Sequence, residues 1–239
     1  MILVDVGNSF VHFAIEKQDN IIKTFSVPTK DFSLDFLKKE FKSLDSCFII
    51  CSVVPKITEI FKKFKSKKII VGKDLEVPIK NFYNKKHIGM DRLVGAFSAK
   101  SLYPNTRIVI DFGTAITFDF LSKKGAYLGG FIIPGIGSTL RSLEKCAMLP
   151  KKIRLIKVKK IIPKDTEESI SKGVIEGFSL MINSLVGKYK KILKILPEEK
   201  IVITGKDALL IKDRFNFKYI YEPFLIFKGL IILKKYARE

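Results

Sequence analysis

Two stretches of the chain repeat a pattern suited to phosphate chemistry. Met1-Ile-Leu-Val-Asp5-Val6-Gly7-Asn8-Ser9 and Ile108-Val-Ile-Asp111-Phe-Gly113-Thr114-Ala115 each end an apolar run with Asp, place Gly two positions on and keep a hydroxyl residue close behind. A glycine turn lets backbone amides approach phosphate oxygens, the hydroxyl adds a donor, and the carboxylate can hold a cation. Two such turns on equivalent strands would face each other across a cleft and grip a polyphosphate; singly, each is an ordinary hairpin turn. A second cluster, His87-Ile88-Gly89-Met90-Asp91-Arg92, opens a helical stretch. There a carboxylate could take the proton of a substrate hydroxyl while the adjacent guanidinium holds a substrate carboxylate. Favourable first-turn placement of Asp and a surface Arg would explain the same pair without function. Gly129-Gly130 and Pro134-Gly135-Ile136-Gly137-Ser138 empty a strand into a Gly-rich loop that could surround an anion or approach another backbone, with Ser138 or Thr139 available as a helix cap. Asp165-Thr166-Glu167-Glu168 reads as a capping box whose Thr166 could also meet a ligand, and Thr204-Gly205-Lys206-Asp207 lies at a strand-to-helix turn where a nucleoside could sit.

The elements that must carry these residues follow from periodicity. Strands are expected at Ile2 to Val4, Val11 to Ile15 and Ile21 to Phe25, then a helix on Leu34, Leu37, Phe41 and Leu44 and a strand at Phe48 to Cys51. A helix after Pro55, a strand at Ile69 to Val71 and a helix from Ile88 to Leu102 close this half. The order then restarts, with strands at Ile108 to Asp111, Ala115 to Phe120 and Tyr127 to Ile133, and a short helix near Leu140 to Ala147. A long helix from Thr166 to Leu193, a strand at Ile201 to Thr204, a helix near Ala208 to Phe215, a strand at Tyr219 to Tyr221 and a helix from Leu225, expected to pack on the second sheet, complete it. Two halves of like order imply duplication.

Composition narrows the classes. With 239 residues, 47% of them hydrophobic, the chain can form one large or two smaller domains. Cys47, Cys51 and Cys146 make no disulfide framework, and with His12 and His87 they make no four-ligand zinc spacing, which points to a reducing cytoplasm. No leader-like or spanning apolar run is present, so no membrane association is expected. The net charge of +20 raises the rival reading of a non-enzymatic nucleic-acid-binding regulator. Against it, 38 of the 44 basic residues are Lys and they are dispersed, as on solvated faces, so nucleic acid is not the expected partner. No G-x-x-x-x-G-K-[ST] occurs, Gly135-Ile-Gly137 lacks the third glycine of a dinucleotide loop, and Asp111-Phe-Gly113 has no accompanying H-R-D.

Taken in order, Asp5-Val-Gly7-Asn8-Ser9, Ser52-Val-Val-Pro55, Gly89-Met-Asp91-Arg92, Asp111-Phe-Gly113-Thr114-Ala115 and Tyr127-Leu-Gly-Gly130-Phe-Ile-Ile-Pro134-Gly135 resemble the type III pantothenate kinases. The resemblance continues through Ala147-Met-Leu-Pro150, Thr166 to Gly173 and Thr204-Gly205 to Glu222-Pro223. It implies an α/β fold of the actin-like superfamily of acetate and sugar kinases, Hsc70 and actin, with two ribonuclease-H-like domains, each a mixed sheet flanked by helices. These would span residues 1–104 and 105–239, the second carrying a long dimer-forming helix. The implied activity is ATP-dependent phosphorylation of pantothenate by a cytoplasmic homodimer in coenzyme A synthesis, with Mg2+ and a monovalent cation, potassium or ammonium. Carried over by position, Asp5, Val6, Gly7, Asn8, Ser9, Phe10, Val11 and His12 would form the ATP phosphate loop, with Thr114 a second ATP contact. Tyr83, Gly89, Met90, Asp91, Arg92 and Thr166 would bind pantothenate, Asp91 as base and Arg92 on the carboxylate; Asp111 would hold the monovalent cation. This chain departs from the family at Phe82-Tyr83-Asn84, which lacks the usual Asn-Pro, at Lys206, where Gly is usual, and at Ser9, where Thr is usual.

Overall fold

A computed structural model describes residues 1–41, 46–84, 88–146, 148–150 and 152–237. Alternation along β1 (Ile2–Val6) sends Ile2, Val4 and Val6 into one core and Leu3 into another. By the same two-residue period Asp5 points to the Leu3 side. β2 (Phe10–Lys17) and β3 (Asn20–Pro28) continue as an antiparallel meander, and α1 (Leu34–Glu40) starts on a Ser33 cap. The expected continuation of that helix to Leu44 lies outside the described residues. β4 (Cys47–Ser52), α2 (Pro55–Lys63), β5 (Lys67–Ile70) and α3 (Met90–Leu102) complete a sheet ordered β3-β2-β1-β4-β5, with β1, β4 and β5 parallel. One face of this sheet is filled by stacked and tilted rings of Phe13, Phe32, Phe48 and Phe61.

The second run repeats the plan. β6 (Thr106–Phe112), β7 (Ala115–Leu121), β8 (Tyr127–Pro134), β9 (Lys200–Thr204) and β10 (Ile220–Tyr221) form a sheet ordered β10-β9-β6-β7-β8. Read from its other edge, this is the strand order of the first sheet. α4 (Ile136–Leu143) and α5 (Thr166–Ile192) lie between β8 and β9, and α6 (Leu225–Tyr236) ends the chain. By contact the chain divides into two compact units: residues 1–104, 119–129 and those from 224 on make the first, and 105–118 and 130–223 the second.

Three expectations are corrected. α4 begins at Ile136 rather than near Leu140, capped by the backbone of Gly135 and not by Ser138 or Thr139, because Ser138 donates instead to the Thr114 carbonyl at 2.6 Å. The expected end of that helix at Ala147 lies outside the described residues. The stretch from Lys206 to Arg214 is two short 3-10 turns, broken where Ile211 takes φ −134°. α6 does not pack on the second sheet: Leu230 and Leu233 join Leu3 and Ile49 in the first unit's core, and Lys234 is paired with Glu16 at 3.0 Å and Asp19 at 2.6 Å. Close approach is possible because Gly229 lies where a Cβ would sit 2.9 Å from the Cβ of Ser98 on α3.

Candidate active site

In the first unit the turn after β1 is held on both sides. The Gly7 amide donates to the Phe10 carbonyl at 2.9 Å, the Thr29 amide to the Ser9 carbonyl at 2.9 Å, and the Thr29 hydroxyl to the Gly7 carbonyl at 2.8 Å. Val6 and Val11 are fully buried, so a ligand at this turn meets their main chain only; Asn8 and Phe10 are exposed, and Asp5, Gly7 and Ser9 are half-buried. His12 shares a hydrogen bond of 2.6 Å between its Nδ1 and Ser26, and burial lowers its pKa, which keeps the ring neutral. That pairing agrees with a structural histidine.

Asp5 is in register with Cys51 of β4, whose buried thiol is pushed up by burial and then by the carboxylates of Asp5 and Asp91. Two acids from separate motifs therefore lie within electrostatic reach of one sulfur at the carboxyl ends of adjacent parallel strands, a usual place for ligands in α/β sheets. Asp91 sits in the first turn of α3 and its Oδ1 accepts the Arg92 amide at 2.7 Å. A side chain on Gly89 would fall on that carboxylate, so the glycine makes room for it. Met90 packs against Gly72, where φ is +85°. Burial raises the Asp91 pKa and outweighs the Arg92 amide and charge that favour the ionised form.

Arg92 is 7% exposed. Its Nε donates to Asp119 Oδ1 at 2.9 Å, its Nη2 lies 2.7 Å from the same oxygen, and the Tyr127 hydroxyl donates there too at 2.6 Å. Although close, Nη2 is out of line, and among the described residues it has no hydrogen-bond partner. Tyr83 covers the guanidinium, its ring centre 5.7 Å from the central carbon, and meets Tyr127 edge-on. The first unit thus brings together Asp5, Tyr83, Gly89, Met90, Asp91 and Arg92; His87 lies outside the described residues. Asp119 was not singled out from the sequence, where its signal is a lone charge between Phe118 and Phe120 in an apolar strand.

In the second unit Asp111 occupies the corresponding strand end, in register with Thr204 of β9. Gly205 takes φ +87°, and a Cβ there would meet the Phe112 carbonyl and, at 2.7 Å, Asp111 Oδ1. A carboxylate oxygen and one backbone carbonyl crowd this spot, oxygens of the kind that hard cations take as ligands. Thr114 is exposed, and its carbonyl accepts the Gly135 amide at 3.1 Å; a side chain on Gly135 would collide with the Gly113 and Thr114 carbonyls. The loop before α4 therefore packs backbone-on-backbone on the second turn. Asp207 accepts the Gly137 amide, and burial raises its pKa. Thr166, exposed at the start of α5, lines a shallow pocket with Leu149, Pro163, Ser169 and Ile170, and the Asp165 side chain accepts the Glu168 amide at 2.9 Å. Among the described residues no three His, Cys, Asp or Glu side chains are grouped to hold a metal, and no helix is long and apolar enough to cross a membrane.

Comparison with known proteins places this geometry in context. A model of the family described as type III pantothenate kinase matches residues 1–188. A type III pantothenate kinase of Persephonella marina is 36% identical over 254 residues, covering 98% of this chain and 97% of that protein. Among solved structures, a Campylobacter jejuni protein described as a Baf family transcriptional activator aligns with a TM-score of 0.68 at 25% identity, covering 100% of this chain and 99% of that one. MreB 5 of Spiroplasma citri, bound to AMPPNP, aligns with a TM-score of 0.54 at 13% identity, covering 99% and 96%, a likeness of fold alone. The fold is actin-like, two mixed sheets flanked by helices.

Proposed function

The chain belongs to the type III pantothenate kinase family, and we propose that it phosphorylates pantothenate through Asp91 and Arg92 as neighbouring acceptor-substrate groups. ATP is the phosphoryl donor and pantothenate the acceptor, in the first step of coenzyme A synthesis. One observation supports the assignment of roles: at the first turn of α3 a carboxylate whose pKa burial raises stands beside a buried guanidinium whose Nη2 has no hydrogen-bond partner among the described residues. The first can accept the proton of the primary hydroxyl as it attacks the γ-phosphorus; the second offers a charged donor to the pantothenate carboxylate. Tyr83, Gly89, Met90 and Thr166 are assigned to the same substrate.

Phosphoryl transfer asks mainly for alignment and charge neutralisation. We assign Asp5, Val6, Gly7, Asn8, Ser9, Phe10, Val11 and His12 to the nucleotide phosphates, largely through main-chain amides, and Thr114 to a further ATP contact. Bound Mg2+ and a monovalent cation, potassium or ammonium, would neutralise phosphate charge. We assign the monovalent ion to the Asp111 carboxylate, beside which the Phe112 carbonyl offers a second oxygen. Two ribonuclease-H-like halves, 1–104 and 105–239, are supported by the matching order of the two sheets. The three cysteines are free, which suits a reducing cytoplasm. A homodimer through α5 is part of the proposal. The nucleic-acid-binding regulator is not favoured, since the family is one of kinases.

The test is turnover of pantothenate with ATP and Mg2+, with potassium present or absent. The wild type should turn over, with potassium stimulation, and Asp91→Asn should lose about 10²- to 10⁴-fold in kcat while still binding ATP. An Asp91→Asn protein with near-normal kcat removes Asp91 as the base.

A further inference from the structure

We propose that Asp119, pinned by Tyr127, is a positioning residue that aims the Arg92 guanidinium at the acceptor's carboxylate and so sets selectivity for an anionic acceptor. The inference rests on the role assigned to Arg92 above and goes one step behind it. Asp119 is 2% exposed, between two phenylalanines of β7. A charge in such a place is costly unless paired, so its retention asks for a reason.

Its geometry supplies one. Both the Nε and Nη2 sides of Arg92 approach a single oxygen, Oδ1, at 2.9 and 2.7 Å, and the Tyr127 hydroxyl reaches that same oxygen at 2.6 Å. A fork-on-fork pair would instead place Nε and Nη2 in line with two different oxygens and use up both donors. Here one strong bond through Nε fixes the planar group, while Nη2 is left buried without an aligned acceptor among the described residues. Tyr127 is itself fully buried, and burial and then the Asp119 charge push its phenol well above the ordinary range, so it acts toward Asp119 only as a donor. Burial would lower the Arg92 pKa, but Asp119 outweighs it and the guanidinium stays charged. Tyr83 closes one face of Arg92, and Gly129, at φ +112°, lets β8 run so close that a Cβ would lie 3.0 Å from the Tyr83 ring. Orientation, charge and a free donor are thus imposed on Arg92 by groups that need not touch the substrate.

The experiment compares steady-state kinetics of the full-length enzyme on pantothenate and on its alcohol analogue, in which CH2OH replaces the carboxylate. Asp119→Asn should raise the KM for pantothenate about tenfold or more, as expected for loss of a well-aimed charged contact. It should leave the KM for ATP and the kcat/KM for the alcohol within about twofold, so that the preference for the acid collapses. Tyr127→Phe, nearly isosteric, should shift the preference the same way by a smaller factor, and it carries the test alone if Asp119→Asn does not fold. Equal losses on acid and alcohol would mean a merely structural role and overturn the inference. Arg92→Gln separates the two levels. If it leaves the acid-to-alcohol preference intact, the role of Arg92 itself is wrong; if it abolishes the preference while Asp119→Asn and Tyr127→Phe do not, Arg92 stands and the positioning role falls.

Discussion

Asp91 is subject to opposed influences. It lies at the positive end of α3, which favours a carboxylate, and it accepts the Arg92 amide, yet burial prevails and its pKa is raised. A general base with a raised pKa holds the transferred proton more firmly, which is the property the reaction needs. In its proposed role as base Asp91 must be deprotonated, so the acid limb of kcat/KM for pantothenate should fall above the ordinary Asp value of about 3.9, and Asp91→Asn should erase that limb from whatever turnover remains. Stability moves in the opposite sense. Where the folded state holds its proton to higher pH than the unfolded chain, ionisation opposes folding; the penalty is absent below about pH 3.9 and complete above the folded pKa. Asp91→Asn should therefore raise Tm at pH 7, with the gain shrinking toward pH 4. An unchanged difference in Tm across that range would show that burial does not strain the carboxylate.

At the scale of elements, sequence periodicity located most strands and helices, because each sheet face and each helix stripe must be apolar over several residues. What it could not report was the partner of each face. The apolar stripe of α6 announces burial but does not say against what; the answer lies in Gly229, over a hundred positions from the Ser98 and Val94 it meets, a close fit no local pattern encodes. The same limit hid Asp119, whose role depends on Arg92 and Tyr127 arriving from other elements, whereas Asp5, Asp91 and Asp111 were legible because glycines mark them locally. The shortened helix at Lys206 to Arg214 reflects Gly205 and Ile211, whose backbone angles suit turns rather than an α-helix. The α3–α6 contact also carries a prediction. A Cβ on Gly229 would lie 2.9 Å from Ser98 Cβ and 3.1 Å from Val94 Cγ1, so Gly229→Val must drive α6 off the helix that bears Asp91 and Arg92. Overpacking of this kind costs about 1–3 kcal/mol, and urea unfolding should show a midpoint lowered accordingly, with a raised KM for pantothenate. A wild-type midpoint would mean that the two helices yield without strain.

For the molecule as a whole, the repeated strand order places Asp5 and Asp111 at equivalent strand ends, one opposite Cys51 and the other opposite Thr204. Duplication accounts for that pairing, and α5, far longer than α1 between the equivalent strands of the first half, carries a feature that folding of one chain does not explain. Gly173, Gly177, Leu180, Ser184 and Gly187 fall on one exposed side of the helix, with Leu180 68% exposed. Among the described residues nothing approaches within 4 Å of where a Cβ would stand on Gly173, Gly177 or Gly187. Each glycine inside a helix costs about 1 kcal/mol relative to alanine, and no contact among the described residues requires these three. Close approach of a second helix does require them, since a backbone without side chains is what lets two helices meet at short range. A homodimer packed along this face therefore predicts effects of opposite sign: Gly177→Ala should strengthen the helix of the single protomer yet weaken the dimer, and Leu180→Glu, which would bury a charge at the contact, should leave monomers. Sedimentation equilibrium over a concentration series reads both. A wild-type monomer, or a Leu180→Glu protein as dimeric as its parent, would leave the stripe without this explanation.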